Sequence, residues 1–177
     1  MHEDIIEKIN IPEGVEVNVN SILTIKGPKG ELKKKFPVKI EKKDNMIVIE
    51  AKKATKNEKK QIKTAKAHIR NMIKGVTEGF EYRLQICSAH FPMTVNVEKD
   101  KLLIKNFLGE TKERIAKLLP NTEVKIEGDI IKVTSADIEA AGQTAANIEL
   151  ATKIKERDRT RFQDGIWIIK KANKEIK

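Results

Sequence analysis

The hydrophobic and polar positions of this chain change period several times, and those changes mark out its elements. Val15, Val17 and Val19 alternate with Glu16, Asn18 and Asn20, the period of two of a half-buried strand. Residues 22–26 form a second apolar stretch that ends in Gly27-Pro28-Lys29-Gly30, read as a hairpin turn leading into a strand over 32–36. Residues 38–41 and 46–50 flank Asp44-Asn45 and predict another hairpin. The period then lengthens. Thr55-Lys56-Asn57-Glu58 has the spacing of a capping box, and Ile62, Ala65, Ile69, Met72, Ile73 and Val76 recur at helical intervals. This predicts a helix with its apolar face on the sheet, a basic stripe of Lys59, Lys63, Lys66 and Arg70 opposite, and a stop at Gly75.

The second half runs through the same order. Strands are predicted over 82–87, 93–97 and 102–106, then over 124–127 and 130–134 around a Gly128-Asp129 turn. A short helix is predicted over 110–119, ended by Pro120, with Lys112, Arg114 and Lys117 exposed. A longer one comes next over 137–153, where Ala141, Ala145 and Ala146 allow close approach to a sheet. Short motifs repeat too: Val17-Asn18-Val19, Ile25-Lys26 and Gly30-Glu31 recur in order as Val95-Asn96-Val97, Ile104-Lys105 and Gly109-Glu110. Thr64-Ala65-Lys66-Ala67-His68-Ile69 has a fainter echo in Gln143-Thr144-Ala145-Ala146-Asn147-Ile148. The fold class is therefore α+β: two tandem, similar domains over 1–80 and 81–177, each a mostly antiparallel sheet packed with a helix.

Charge narrows the function. A formal net charge of +10 and a pI near 9.6 favour a polyanionic partner. The excess is clustered: between Lys52 and Lys74 nine basic residues face the single acid Glu58. One cysteine, Cys87, excludes an internal disulfide and suits a reducing compartment, and no apolar run reaches the roughly 18 residues of a membrane span. A soluble intracellular protein with no membrane partner is expected.

Catalytic signals are weak. Gly27-Pro28-Lys29-Gly30 fits the G-x-x-G of an RNA-clamping loop but lies between strands instead of helices. Cys87 and His90 are three apart, yet zinc needs four ligands and His2 and His68 stand in unrelated segments. A strand-end Cys beside a loop His is the better reading, and His68, two positions from Lys66 and Arg70, reads as a polar rim residue in preference to an RNA contact. Asp137, Glu139 and Glu149 share one helix as solvated acids, and Glu127 and Asp129 flank a turn. No catalytic, cofactor or metal site is predicted, so the chain is not expected to be an enzyme or to carry a cofactor.

The C-terminal run carries the functional signal. Arg157, Arg159 and Arg161 stand at every second position before Phe162-Gln163-Asp164-Gly165, the apolar Ile166-Trp167-Ile168-Ile169, and then Lys170 and Lys171, with Lys153 and Lys155 upstream. If this segment is extended, the three guanidiniums point to one side as forks for phosphate oxygens. The chain is sparing in aromatics and lacks helix-turn-helix, zinc-finger and basic-zipper patterns. A folded RNA, held through phosphate and 2′-hydroxyl groups, fits best.

Several motifs in one order then resemble a known family. They are Ile11-Pro12-Glu13-Gly14-Val15, Gly27-Pro28-Lys29-Gly30-Glu31-Leu32, Phe91-Pro92-Met93, Asn106-Phe107-Leu108-Gly109-Glu110, Gly142-Gln143-Thr144-Ala145-Ala146-Asn147-Ile148-Glu149 and Phe162-Gln163-Asp164-Gly165-Ile166. Together they resemble the large-subunit ribosomal protein L6 family in its archaeal and eukaryotic form, from about residue 9 to 171. The resemblance implies two similar α+β domains and a non-enzymatic role in the cytoplasmic ribosome. It implies binding to large-subunit ribosomal RNA, near the stalk base and factor-binding region, mainly through the second domain and C-terminal segment. Neighbouring large-subunit proteins and transient proximity to translation factors are further implied. The RNA contacts that the resemblance implies are Arg157, Arg159 and the Phe162-Gln163-Asp164-Gly165 turn, with Lys170 and Lys171 beyond. The chain departs from the family at Thr160, where Arg is usual and Arg161 stands one place along, and at Trp167, where Tyr is usual. A free RNA chaperone or translational regulator is the alternative.

Overall fold

The computed structural model describes residues 3–158 and 160–176, and the chain divides into two compact units after Gly79. In the first unit β1 (Glu3–Asn10), β6 (Met46–Ala54) and β5 (Ile40–Lys43) form one antiparallel sheet with β6 central. A second sheet holds β2 (Glu16–Val19), β3 (Leu23–Gly27) and β4 (Gly30–Lys34) in that order. Helix α1 (Lys56–Thr77) lies against strands of both sheets. Its capping box is formed: Glu58 donates its N–H to Thr55 Oγ1 at 3.3 Å, and Glu58 Oε2 accepts the Thr55 N–H at 2.7 Å. Ile62, Ala65, Ile69, Met72, Ile73 and Val76 are all buried in one cluster with Ile9, Ile25, Ile47 and Ile49.

The second unit repeats this plan. The sheet β8 (Thr94–Glu98), β9 (Lys101–Lys105), β10 (Arg114–Lys117) matches β2-β3-β4. In the other sheet, β7 (Phe80–Cys87) and β11 (Glu123–Glu127) flank β12 (Ile130–Ser135), as β1 and β5 flank β6. Helix α2 (Ile138–Ala151) starts at Asp137, whose side chain accepts the Glu139 N–H at 2.9 Å, and buries Ala141, Thr144, Ala145 and Ile148. The duplication is thus present in the topology as well as in the short motifs. The second copy adds β13 (Gly165–Lys171) and β14 (Lys174–Glu175), laid along the outer edge of β7.

Three expectations are corrected. Residues 110–119 are not a helix: a 3-10 turn over Phe107–Gly109 precedes strand β10, which pairs with β9 from Arg114↔Ile104 to Lys117↔Lys101. Alternation decides it, because Ala116 faces the core while Ile115 and Lys117 face out. Gly75 does not stop α1; it is buried inside it, and the chain turns at Gly79, whose φ is +77°. Lys59 and Lys66 are half-buried flanks of α1, since Lys66 reaches down to bind Glu7 on β1. Strand β1 has no counterpart among the expected elements: it carries Ile5 and Ile9 inward as an edge strand, its alternation masked by the acidic residues between them.

Candidate nucleic-acid interface

The loop from Thr152 to Asp164 joins α2 to β13, and its ends are tied by buried polar groups. Thr152, 2% exposed, donates its hydroxyl to the Glu149 carbonyl at 3.1 Å and accepts the Ile166 N–H at 2.9 Å. Glu149 Oε1 accepts the Ile168 N–H at 3.2 Å, so this helix acid serves the strand instead of solvent. Arg114, expected on an exposed helix face, instead caps the C-terminal end of α2. It donates to the carbonyls of Ala151 and Lys153 at 3.0 Å each, chelates Glu110, and lies 4.3 Å over the Phe107 ring. Its guanidinium is the main reason the Glu110 carboxyl titrates below its ordinary value; burial opposes, and Arg157 adds a smaller charge effect.

The key side chain is Asp164. It is 2% exposed, and its Oδ2 accepts the His90 N–H at 2.9 Å while Oδ1 lies 2.6 Å from His90 Nδ1. A carboxylate only accepts, so Nδ1 carries the proton. Burial pushes the Asp164 carboxyl upward, but the backbone and ring of His90, with the backbone of Phe91, outweigh it and hold the value below the ordinary one. The His90 ring in turn sits 4.8 Å from the Phe162 ring, and the Arg157 guanidinium lies 5.1 Å from the same ring. Cys87 and His90 therefore do not act together: His90 belongs to Asp164, and Cys87 lines a hollow of about 520 Å³ with Ala89, Phe162, Gln163 and Trp167.

The arginine run is not an extended edge. Asp158 Oδ1 accepts the N–H and hydroxyl of Thr160 at 2.9 and 2.8 Å, and the Asp158 carbonyl accepts the N–H groups of Arg161 and Phe162. This Asx-type turn replaces the strand, so the period-two argument for one-sided guanidiniums fails. Arg159 lies outside the described residues. Arg157 and Arg161 are exposed on either side of the turn, as are Lys153 and Lys155 before it. Gln163 is exposed and its carbonyl accepts the Trp167 Nε1–H at 3.2 Å; Gly165 is buried, with the Trp167 indole 3.3 Å from where a Cβ would stand. Of the two strand-end lysines, Lys170 is bound to Glu81 at 2.9 Å and 19% exposed, whereas Lys171 faces solvent. The Asp164–His90 pair and the Arg114 cap had no local signal, since their partners stand 74 and 37 residues away.

Two of the family-like motifs also meet here. Phe91 lies against Gly109 (3.6 Å from where a Cβ would be), and Asn106 donates its amide to the Pro92 carbonyl at 2.9 Å. The family model described as Ribosomal protein L6 matches residues 11–79 and again 91–165, once for each unit. The chain belongs to the ribosomal protein L6 family. Membership makes it a structural, non-enzymatic ribosomal component, and the second match closes at Gly165, where β13 begins. The chain is 51% identical to the large ribosomal subunit protein uL6 of Methanobrevibacter smithii, over 93% of this chain and 95% of that one. It is 47% identical to the uL6 of Methanosarcina mazei, over 97% and 100%, and 44% identical to that of Aeropyrum pernix, over 93% of each. Among the described residues no helix is long and apolar enough to cross a membrane.

Proposed function

We propose that this L6-family protein is a structural constituent of the large ribosomal subunit in the cytoplasm, bound to large-subunit ribosomal RNA through the loop and strand added after α2. The observation that carries this reading is the fixed loop itself. Asp164, Thr152 and Arg114 hold it from within, while Lys153, Lys155, Arg157, Arg161 and Lys171 face solvent. A pre-formed cationic loop meets phosphates without a further ordering cost, and Arg157 on the Phe162 ring is held as a fork for them. Gln163, exposed beside the hollow at Trp167, is placed for a sugar or base edge. Lys170, through Glu81, is the least available of the candidate contacts. Neighbouring large-subunit proteins, and translation factors in passing, are the further partners of that position.

Sucrose-gradient fractionation of cell extract, repeated after a high-salt wash, tests the role. Stable co-migration with the large subunit is expected; presence only in light fractions would make a free RNA chaperone the better reading. The residue assignment has its own measurement. Arg157→Ala with Arg161→Ala should flatten the slope of log affinity for large-subunit RNA against log salt, by about 0.7–0.9 for each phosphate no longer engaged. An unchanged slope in this double variant would remove both arginines from the interface.

A further inference from the structure

The first unit, which lacks any counterpart of the C-terminal loop, is nevertheless the more cationic of the two. Residues 1–79 hold 18 Lys and Arg against 11 Asp and Glu, while residues 80–177 hold 18 against 15. Much of that excess lies on one helix. Within α1 stand seven basic residues and the single acid Glu58. Lys56, Lys60, Lys63, Arg70 and Lys74, with Ala67 between them, succeed one another at intervals of three or four and are all exposed. They form a line about 27 Å long at 1.5 Å per residue. Lys74 stands 3.8 Å from Glu78, but Lys56, Lys60, Lys63 and Arg70 make no ion pair among the described residues.

The duplication supplies an internal control. Helix α2 occupies the same place in the second copy and carries no Lys or Arg at all. With Ile69 matched to Ile148, both fully buried, Lys60 and Arg70 fall on Glu139 and Glu149. The fold therefore does not require a cationic helix. Like charges at these spacings destabilise a helix slightly, so a purely structural role would not accumulate them. The face also lacks what a protein partner would use. None of the exposed large hydrophobics among the described residues lies on α1, and the positions beside the cations are Asn57, Thr64 and Ala67. Arg70 and Lys74 continue into an open cleft of about 640 Å³ where Lys8 adds a further cation.

We propose that the exposed face of α1 is a second RNA-binding surface, which grips the sugar–phosphate backbone of a folded RNA independently of the C-terminal loop. Small side chains at Thr64 and Ala67 let a backbone approach while the flanking cations reach its phosphates. This goes beyond the C-terminal reading and does not rest on it.

The test uses the full chain and deproteinised large-subunit ribosomal RNA. Replacing Lys60, Lys63, Arg70 and Lys74 together by Gln should weaken binding roughly tenfold or more near 0.1 M salt and flatten the log–log salt slope by about 3. The control replaces Lys39, Lys101, Lys105 and Lys125 by Gln, four surface lysines (Lys101 half-buried, the others exposed) already paired to Glu41, Glu98, Glu113 and Glu123. It removes the same net charge and should change little. An equal loss in the control would reduce the effect to overall charge and overturn the proposal. Melting separates a structural role: the α1 variant should melt at the same temperature or higher, because repulsion is relieved, and a lower Tm would overturn the proposal. Finally, benzoylphenylalanine at Ala67, photolysed in assembled large subunits, should crosslink to RNA. A protein adduct or no adduct would overturn the assignment. Failure of the Arg157 and Arg161 variant to flatten the slope would leave this surface standing, so the two readings fail separately.

Discussion

Replacing Asp164 by Ala is expected to destabilise the second unit by about 2–4 kcal/mol and to weaken RNA binding with it. The carboxylate takes the backbone N–H and the ring N–H of His90 at 2.9 and 2.6 Å, and a backbone bond from Phe91. With Ala there, the charge-assisted bonds of a buried carboxylate are lost and a polar gap is left in its place, while the donors of the exposed His90 and Phe91 turn to water. The His90 ring also loses the group that holds it against Phe162, so the seat of Arg157 loosens. A domain of this size should melt about 10 °C or more lower. The chain has a single tryptophan, Trp167 on β13, so its fluorescence reports on this region alone.

Acid adds a second readout for the same residue. The native Asp164 carboxyl titrates below its ordinary value of 3.8, so it binds a proton less readily than in the unfolded chain. Its contribution is therefore complete above the unfolded value and is lost as pH falls through the depressed native one. Wild-type stability should drop from about pH 4 downward, and Asp164→Asn should show a shallower drop over that window. Glu110 and Glu81, held low chiefly by Arg114 and Lys170, add acid sensitivity that the variant keeps. Equal melting temperatures for wild type and Asp164→Ala would show that this network is incidental to the fold.

Legibility in the sequence tracked the range of the interactions. The capping box at Thr55 and the buried stripe from Ile62 to Val76 are local, and both formed as the spacing implied. The repeat was legible because order survives when identity fades. Residues 110–119 misled because a short charged segment with apolar residues at helical intervals is also a strand when β9 lies beside it. The short-motif offset does not settle it either: shifted back by 79 residues, β10 falls on 35–38, just past β4, so only the shared sheet order pairs the two strands. For the arginine run, period two was a weak warrant beside Asp158, whose side chain closes a turn on Thr160. The Asp164–His90 bond spans 74 residues and could come only from the folded chain. The basic stripe was visible in outline, but only the structure separates the exposed Lys56, Lys60 and Lys63 line from Lys66, which Glu7 takes.

The second large effect is expected at Gly27, and it bears on how the first unit joins a hairpin to its helix. Gly27 and Gly30 face each other at the β3–β4 turn, with Pro28-Lys29 as the two-residue loop. The Lys29 N–H donates to the Val76 carbonyl at 2.8 Å, near the end of α1, where the last carbonyls of a helix need partners. A Cβ on Gly27 would stand 2.8 Å from that same carbonyl oxygen and 2.9 Å from Val76 Cγ2. Backbone cannot step aside as a flexible side chain can, so Gly27→Ala must push the hairpin off the helix and strain the Lys29 bond. A loss of about 3 kcal/mol is expected, read as a lower melting temperature at 222 nm. Gly30 is demanding for a different reason. Its φ of +135° suits glycine, but a Cβ there meets nothing within 4 Å, so Gly30→Ala should cost only about 1–2 kcal/mol. Trimming Val76 to Ala removes Cγ2 and leaves the carbonyl, so it should not rescue Gly27→Ala. Full rescue would place the conflict in the side chain and show that the carbonyl contact does not hold the hairpin.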